Sequence, residues 1–154
     1  MYKIHKTQFM LKKKYKVLFI DDSHTEINYL KLLFQIIDFP AEPAFINSAL
    51  DALEQLDNLV EEEFPDCIIV DINMPFITGF EFAEKYLEST HLKHPETKLF
   101  IYSTSLHSKD IIRAESIVGV SGFIAKPFDQ NSFEKHILPL IELKENSHLR
   151  QGTG

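Results

Sequence analysis

The sequence has no apolar stretch long enough to cross a membrane, and no apolar segment of signal-peptide type follows its first lysines. Together these absences lead us to expect a cytoplasmic protein. Cysteine is used once, at Cys67, which excludes an intramolecular disulfide and fits a reducing compartment. Cys67 opens an apolar run, so it reads as a small buried hydrophobe rather than a reactive thiol. No repeat, low-complexity segment or shift of composition marks a second domain. Acidic residues are missing from the first sixteen positions, which hold six lysines. The formal net charge is -7, so removing that +6 leaves -13 for residues 17–154. A body of that charge repels nucleic-acid phosphates. Residues 1–14 read as a basic, flexible arm that could touch an anionic partner.

What is present is enough for one full core. The chain has 154 residues, 44% of them hydrophobic, with 13 Phe. Strands are expected at 15–20, near 44–46, at 67–71, at 98–103 and at 122–125. Between them lie helical patterns. Ile27, Leu30, Phe34 and Ile37 mark the first, with Ser23 or Thr25 as its cap. Asn47 or Ser48 caps the second, whose stripe is Ala49, Leu53, Leu56 and Val60. The third runs from Gly79 to about Ser89 and the fourth from Lys109 to Val118. The last starts after Asp129, and Pro139 inside it predicts a kink or break. Pro40 and Pro43 are expected to close a turn, and residues 146–154 to form a frayed tail. Five alternations of strand and helix argue a parallel sheet covered by helices on both faces.

Chemistry gathers at the strand ends. The run Cys67-Ile68-Ile69-Val70 passes straight into Asp71, with Asn73, Pro75 and Gly79 after it. The first strand delivers Asp21 and Asp22, the fourth Ser103, Thr104 and Ser105, and the fifth Lys126. Open α/β sheets bind their ligands at this carboxyl edge. If strands one and three are neighbours, three carboxylates converge and repel unless a cation intervenes. Magnesium, a hard ion with oxygen ligands, suits that set, and Lys126 adds a second positive charge. The whole reads as a site for a phosphoryl group on a carboxylate oxygen. Each piece alone has a plainer reading: a cap, a turn, a strand end. His91 and His94 lack a nearby third ligand and are not expected to bind metal. His24 reads as a surface helix residue, and Glu61-Glu62-Glu63 as a solvated helix end.

Over about residues 15–145 the chain resembles the receiver domain of bacterial two-component response regulators. The resemblance rests on Asp21-Asp22, Asp71 with Pro75 and Gly79, the Ser103 region, Gly122-Phe123 and Lys126-Pro127-Phe128. It implies a flavodoxin-like, doubly wound five-stranded parallel sheet in the order 2-1-3-4-5, with five helices. Asp71 would then be the phosphoacceptor, Asp22 a direct magnesium ligand and Asp21 a ligand through water, with the backbone carbonyl of Asn73 completing the set. Lys126 would pair with the phosphoryl oxygens, aimed by a cis Lys126-Pro127 bond. The switch hydroxyl is Ser103 counting along strand four, or Thr104 counting back from Lys126. Ser103 is preferred, because spacing inside a strand tolerates insertion least. Ser105 would then modulate hydrolysis, and Phe123 would be the switch aromatic, although a plain core Phe is the simpler reading.

The implied partners are a sensor histidine kinase or a histidine phosphotransfer protein, and a downstream protein target. The chain leaves no room for a DNA-binding output domain, so its output should be a surface: helix four, strand five and helix five, with a phosphorylation-dependent dimer as one form. The expected function is a stand-alone receiver that is not an enzyme in its own right. Two other functions stay open. One is a receiver-like scaffold that never needs phosphate. The other is an aspartyl-phosphate hydrolase, which Asn73 argues against because it cannot act as a general acid-base two residues after the nucleophile.

Overall fold

The computed structural model describes residues 14–152, so all but the last residue of the basic arm lies outside the described residues. Its frame is five parallel strands: β1 (Tyr15–Ile20), β2 (Ala41–Ile46), β3 (Cys67–Asp71), β4 (Lys98–Ser103) and β5 (Gly122–Ala125). They lie in the order β2-β1-β3-β4-β5, as expected. β3 is the middle strand and all five of its residues are buried, the pattern of a strand covered on both faces. Alternate residues serve different cores. Ile68 and Val70 pack with Leu56, Phe82, Tyr86, Leu99, Ile101 and Ala114, while Cys67 and Ile69 pack with Leu30, Phe133, Ile137 and Ile141. The helices α2 (Ala49–Asn58), α3 (Gly79–Glu88) and α4 (Ser108–Ser116) therefore cover one face. The other belongs to α1 (His24–Ile36) and to α5, which comprises a turn Gln130–Ser132, a π-helical turn Phe133–Ile137 and an α-helix Leu138–Gln151.

Local chemistry sets the helix starts. Ser23, Ser48 and Thr78 accept the backbone N–H of Glu26, Asp51 and Glu81 at 3.2–3.3 Å. Each fills one of the vacant donors of a first turn. Asp129 and Ser132 form a reciprocal capping box ahead of α5. α4 is preceded by His107, which makes no side-chain cap bond, and has one buried residue, Ala114.

Three expectations need correction and one takes an unexpected form. β2 begins at Ala41, so Pro43 lies inside a strand rather than a turn. β2 is an outer strand, and a strand paired on one side only tolerates a missing N–H. α2 ends at Asn58 and leaves Val60 exposed, and Glu61–Glu63 forms a separate 3₁₀ turn. At Pro139 the expected interruption takes a particular form: the regular α-helix restarts at Leu138 with the proline in its first turn. The π turn before it takes up the mismatch, with the Leu138 N–H bonded to the Phe133 carbonyl five residues back. Residues 146–151 do not fray, because the helix runs on to Gln151. The Lys144 ammonium pairs with Asp66, which also accepts the Lys16 N–H, and so ties the far half of α5 to the foot of the sheet.

The α1–α5 face is aromatic. Phe19 is fully buried among Phe128, Phe45, Phe34 and Tyr102, with ring centroids at 5.4, 5.7, 5.8 and 6.4 Å. Phe19→Ala should therefore cost about 3–5 kcal/mol, read as a lower urea midpoint. A loss within about 1 kcal/mol would show that this cluster does not hold the domain together.

Candidate functional site

The strand register assembles the site. β1 and β3 are in step up to the Ile20–Val70 pair, and one residue further stand Asp21 and Asp71. β3 and β4 pair to Asp71–Tyr102, and β4 and β5 to Ser103–Ala125, just before Lys126. The Lys126 N–H donates to the Ser103 carbonyl at 2.9 Å. All the chemistry expected at strand ends thus shares one edge of the sheet.

Lys126 bridges two acids. Its Nζ lies 2.6 Å from Asp21 Oδ2 and 3.0 Å from Asp71 Oδ1. Asp21 and Asp71 are both buried. Asp21 Oδ1 also accepts the Ser23 N–H at 2.9 Å. Asp22 is half-buried, and ligand oxygens of Asp21, Asp22 and Asp71 lie within 4.8 Å of one another. Burial raises the pKa of Asp71 above the usual carboxylate value; the Lys126 bond opposes this, and the charges of Asp21 and Asp22 add to it. Burial by itself would lower Lys126, but its bonds to Asp21 and Asp71 outweigh that, and its pKa is raised. The two directions have different causes: burial dominates at Asp71, while the carboxylates on either side dominate at Lys126.

The deficit defines what the site can hold. Three carboxylates against one ammonium leave two negative charges unbalanced. A hard divalent cation with oxygen ligands fits that donor set and that charge. Among the described residues, this trio is the one group of three or more acidic, histidine or cysteine side chains close enough to hold a metal. His94 instead stacks on Phe64 with centroids at 3.6 Å, and His91 lies against Tyr86. His24 is exposed at the start of α1.

The loop after Asp71 is built tightly around it. The Gly79 N–H returns to the Ile72 carbonyl at 2.8 Å, and a Cβ at Gly79 would lie 2.2 Å from the Asp71 carbonyl oxygen. Only glycine fits there. Asn73 is exposed in this loop, and Phe76, 91% exposed, holds a left-handed backbone with φ 71°. Ser103 is buried and its Oγ accepts the Ser105 N–H at 3.0 Å, while Thr104 is exposed. The Ser105 Oγ donates to Asp110 Oδ2 at 2.6 Å. Phe123 is partly buried against the core on the α2–α4 face. The Lys126-Pro127 peptide is cis, as the resemblance implied.

One layer of support was not foreseen from sequence. The Tyr102 hydroxyl bonds Glu26 Oε1 at 2.5 Å and accepts the Phe128 N–H at 3.0 Å. Tyr29 donates to the Phe128 carbonyl at 2.7 Å. In sequence, Tyr102 reads as one more apolar strand residue, and the sole available signal was a hydroxyl in a strand predicted to be buried.

Two tests follow from this geometry. The folded-state pKa of Asp71 lies above its unfolded value, so its ionised form opposes folding. That cost begins as pH rises past the unfolded value and is complete above the folded one. Asp71→Asn should therefore raise the thermal midpoint at neutral pH in chelator, and added magnesium should narrow the gap by stabilising the wild type more. A lower midpoint for the variant in chelator would contradict the charge argument. Gly79→Ala should cost about 1–3 kcal/mol in urea unfolding, because the methyl displaces the Asp71 backbone. Unchanged stability would show that the loop yields freely.

The comparisons with known proteins agree with this edge. The model of the response regulator receiver domain family matches residues 17–138. The chain is 27% identical over 133 residues to chemotaxis protein CheY-3 of Vibrio cholerae, covering 86% of this chain and 96% of that protein. It is 29% identical over 140 residues to protein-glutamate methylesterase/protein-glutamine glutaminase 2 of Shewanella sp. (strain MR-4). That match takes in 88% of this chain but spans only 38% of the relative's length. A two-component response regulator from Cytophaga hutchinsonii shares the fold, with a TM-score of 0.75 at 23% identity, covering 85% of this chain and 99% of that one. With strand order, acidic edge and family match in accord, the chain belongs to the response regulator receiver domain family, the phosphoacceptors of two-component signalling.

Proposed function

We propose that this chain is a phosphorylation-driven switch that accepts its phosphoryl group on Asp71. The observation that carries the reading is the Lys126 ammonium bonded at once to Asp21 and Asp71, with Asp22 in the same cluster. Asp21, Asp22 and the backbone carbonyl of Asn73 would hold magnesium, with Asp71 as a further ligand. When bound, the ion supplies the positive charge that lets the carboxylates and an incoming phosphoryl group share one site. A carboxylate oxygen of Asp71 attacks phosphorus. The bond from phosphorus to the donor's histidine nitrogen breaks, and its electron pair leaves with the imidazole. Lys126, already within ion-pair distance of Asp71, meets the charge on the phosphoryl oxygens as a point charge.

Ser103 is the switch hydroxyl in this reading, supported by its burial at the end of β4 where Thr104 is exposed. It turns toward the new phosphoryl group, and Phe123 follows. The face of α4, β5 and α5 changes with them, either for a downstream protein or for a second copy. The donor is a sensor histidine kinase or a histidine phosphotransfer protein, and the chain works in the cytoplasm. The methylesterase activity of the Shewanella relative is not carried over, since the match spans little more than a third of that protein.

Incubation with acetyl phosphate and magnesium, followed by intact mass measurement, tests the assignment. One added phosphoryl group is expected on the wild type, none on Asp71→Ala, and none in excess chelator. Equal labelling of Asp71→Ala would overturn it.

A further inference from the structure

The mechanism above uses Lys126 but leaves unexplained what holds it. Its backbone lies in the short connection between β5 and α5. Both sides of the Phe128 peptide are tied down: its N–H donates to the Tyr102 hydroxyl and its C=O accepts from the Tyr29 hydroxyl. The Tyr102 hydroxyl in turn donates to Glu26 in the first turn of α1. The Phe128 ring is fully buried against Phe19, Phe34 and Tyr102. On the other side of Lys126, its N–H is held by the Ser103 carbonyl. Tyr102 also lies beside the lysine itself, with Nζ 4.9 Å from the ring centroid, within reach of the ring's negative face.

Tyr102 is therefore the common member of two contacts that converge on one ammonium. Its ring faces the charged end of Lys126, and its hydroxyl fixes the backbone two residues on. A neutral N–H, a phenol and a carboxylate in series polarise one another in a buried setting, which stiffens the chain of bonds. It spans α1, β4 and the β5–α5 connection, and none of its groups is a magnesium donor in the proposed site.

We propose that Tyr102, oriented by Glu26, is a positioning residue for phosphoryl transfer that sets the place of the Lys126 ammonium over Asp71. The inference rests on the phosphoacceptor reading of the site. Loss of the hydroxyl should slow labelling while leaving the acidic cluster intact, because a displaced ammonium loses alignment with the transferring oxygens.

The test is a double-mutant cycle on the full chain. Labelling rates with acetyl phosphate at saturating magnesium are measured for wild type, Tyr102→Phe, Lys126→Ala and the double variant, and magnesium affinity by calorimetry. Tyr102→Phe should label roughly tenfold more slowly than wild type, with magnesium affinity within about twofold. In the Lys126→Ala background the same change should have no further effect. Glu26→Gln, at the partly exposed end of the network, should slow labelling in the same direction and serves as the test if Tyr102→Phe does not fold. Wild-type rates in Tyr102→Phe, or in Glu26→Gln where that stands in, would overturn the inference. So would an equal slowing with and without Lys126, or a parallel loss of magnesium affinity. A wild type that takes no label at all would instead overturn the phosphoacceptor reading beneath it.

Discussion

Three carboxylates and one ammonium share the carboxyl edge of the sheet, and much of the structure serves to keep them there. Charge of one sign does not collect in a half-dry site unless the backbone leaves it no choice. The choice is removed by register. β1 and β3 are neighbours in step, so Asp21, just past the end of β1, and Asp71, the last residue of β3, cannot move apart without unzipping a central pair of strands. Gly79, lacking a side chain, lets the chain close against the Asp71 carbonyl, and Ser23 holds Asp21 while also capping α1. Lys126 relieves the repulsion in part. The two charges left over are what a divalent cation would balance.

The two faces of the sheet carry different loads. On the α2–α4 side the strands present mainly aliphatic residues, Leu18, Ile20, Ile68, Val70, Leu99 and Ile101. On the α1–α5 side they present Tyr15, Phe19, Phe100 and Tyr102. Aromatic residues bury large area and keep a polar end that must find a partner. Tyr102 and Tyr29 use that polar end on the Phe128 peptide. A face that looks like bulk core thus also steers the connection that carries Lys126.

Legibility followed the range of the determining interaction. β1, β3, β4 and β5 span the residues expected of them, because a mostly apolar run bounded by turn residues reads as a strand, most plainly in β3, which is buried throughout. The acidic cluster was legible for the same reason, since each member closes or follows such a run. β2 was cut short because Pro43 reads as a turn until the strand is known to lie at an edge. The interruption expected at Pro139 takes the form of a π turn, and the helix that continues past residue 146 carries Lys144, which meets Asp66 seventy-eight positions earlier. Tyr102 and Glu26 are seventy-six apart. No local pattern announces contacts of that kind. They exist only once the strand order has brought α1 beneath the end of β4.

The same bonds indicate where a switch has room to act. α5 is pinned at its start by the Asp129 capping box and the doubly held Phe128 peptide, and further along by Lys144 on Asp66. α4 has no side-chain cap and buries only Ala114, while Leu106, Ile112 and Val118 around it are exposed. An element with few buried contacts shifts at low cost. It is joined to the strand end by a short relay: the Ser105 N–H to Ser103 Oγ, then Ser105 Oγ to Asp110 in the first turn of α4. If Ser103 turns toward a phosphoryl group on Asp71, as proposed, its Oγ must give up the Ser105 N–H. The constraint on Ser105, and through it on Asp110, then loosens. The movement would pass into α4 and its flanking loop more than into α5, so the face of α4, β5 and α5 would change mainly by displacement of α4 against a better-anchored α5.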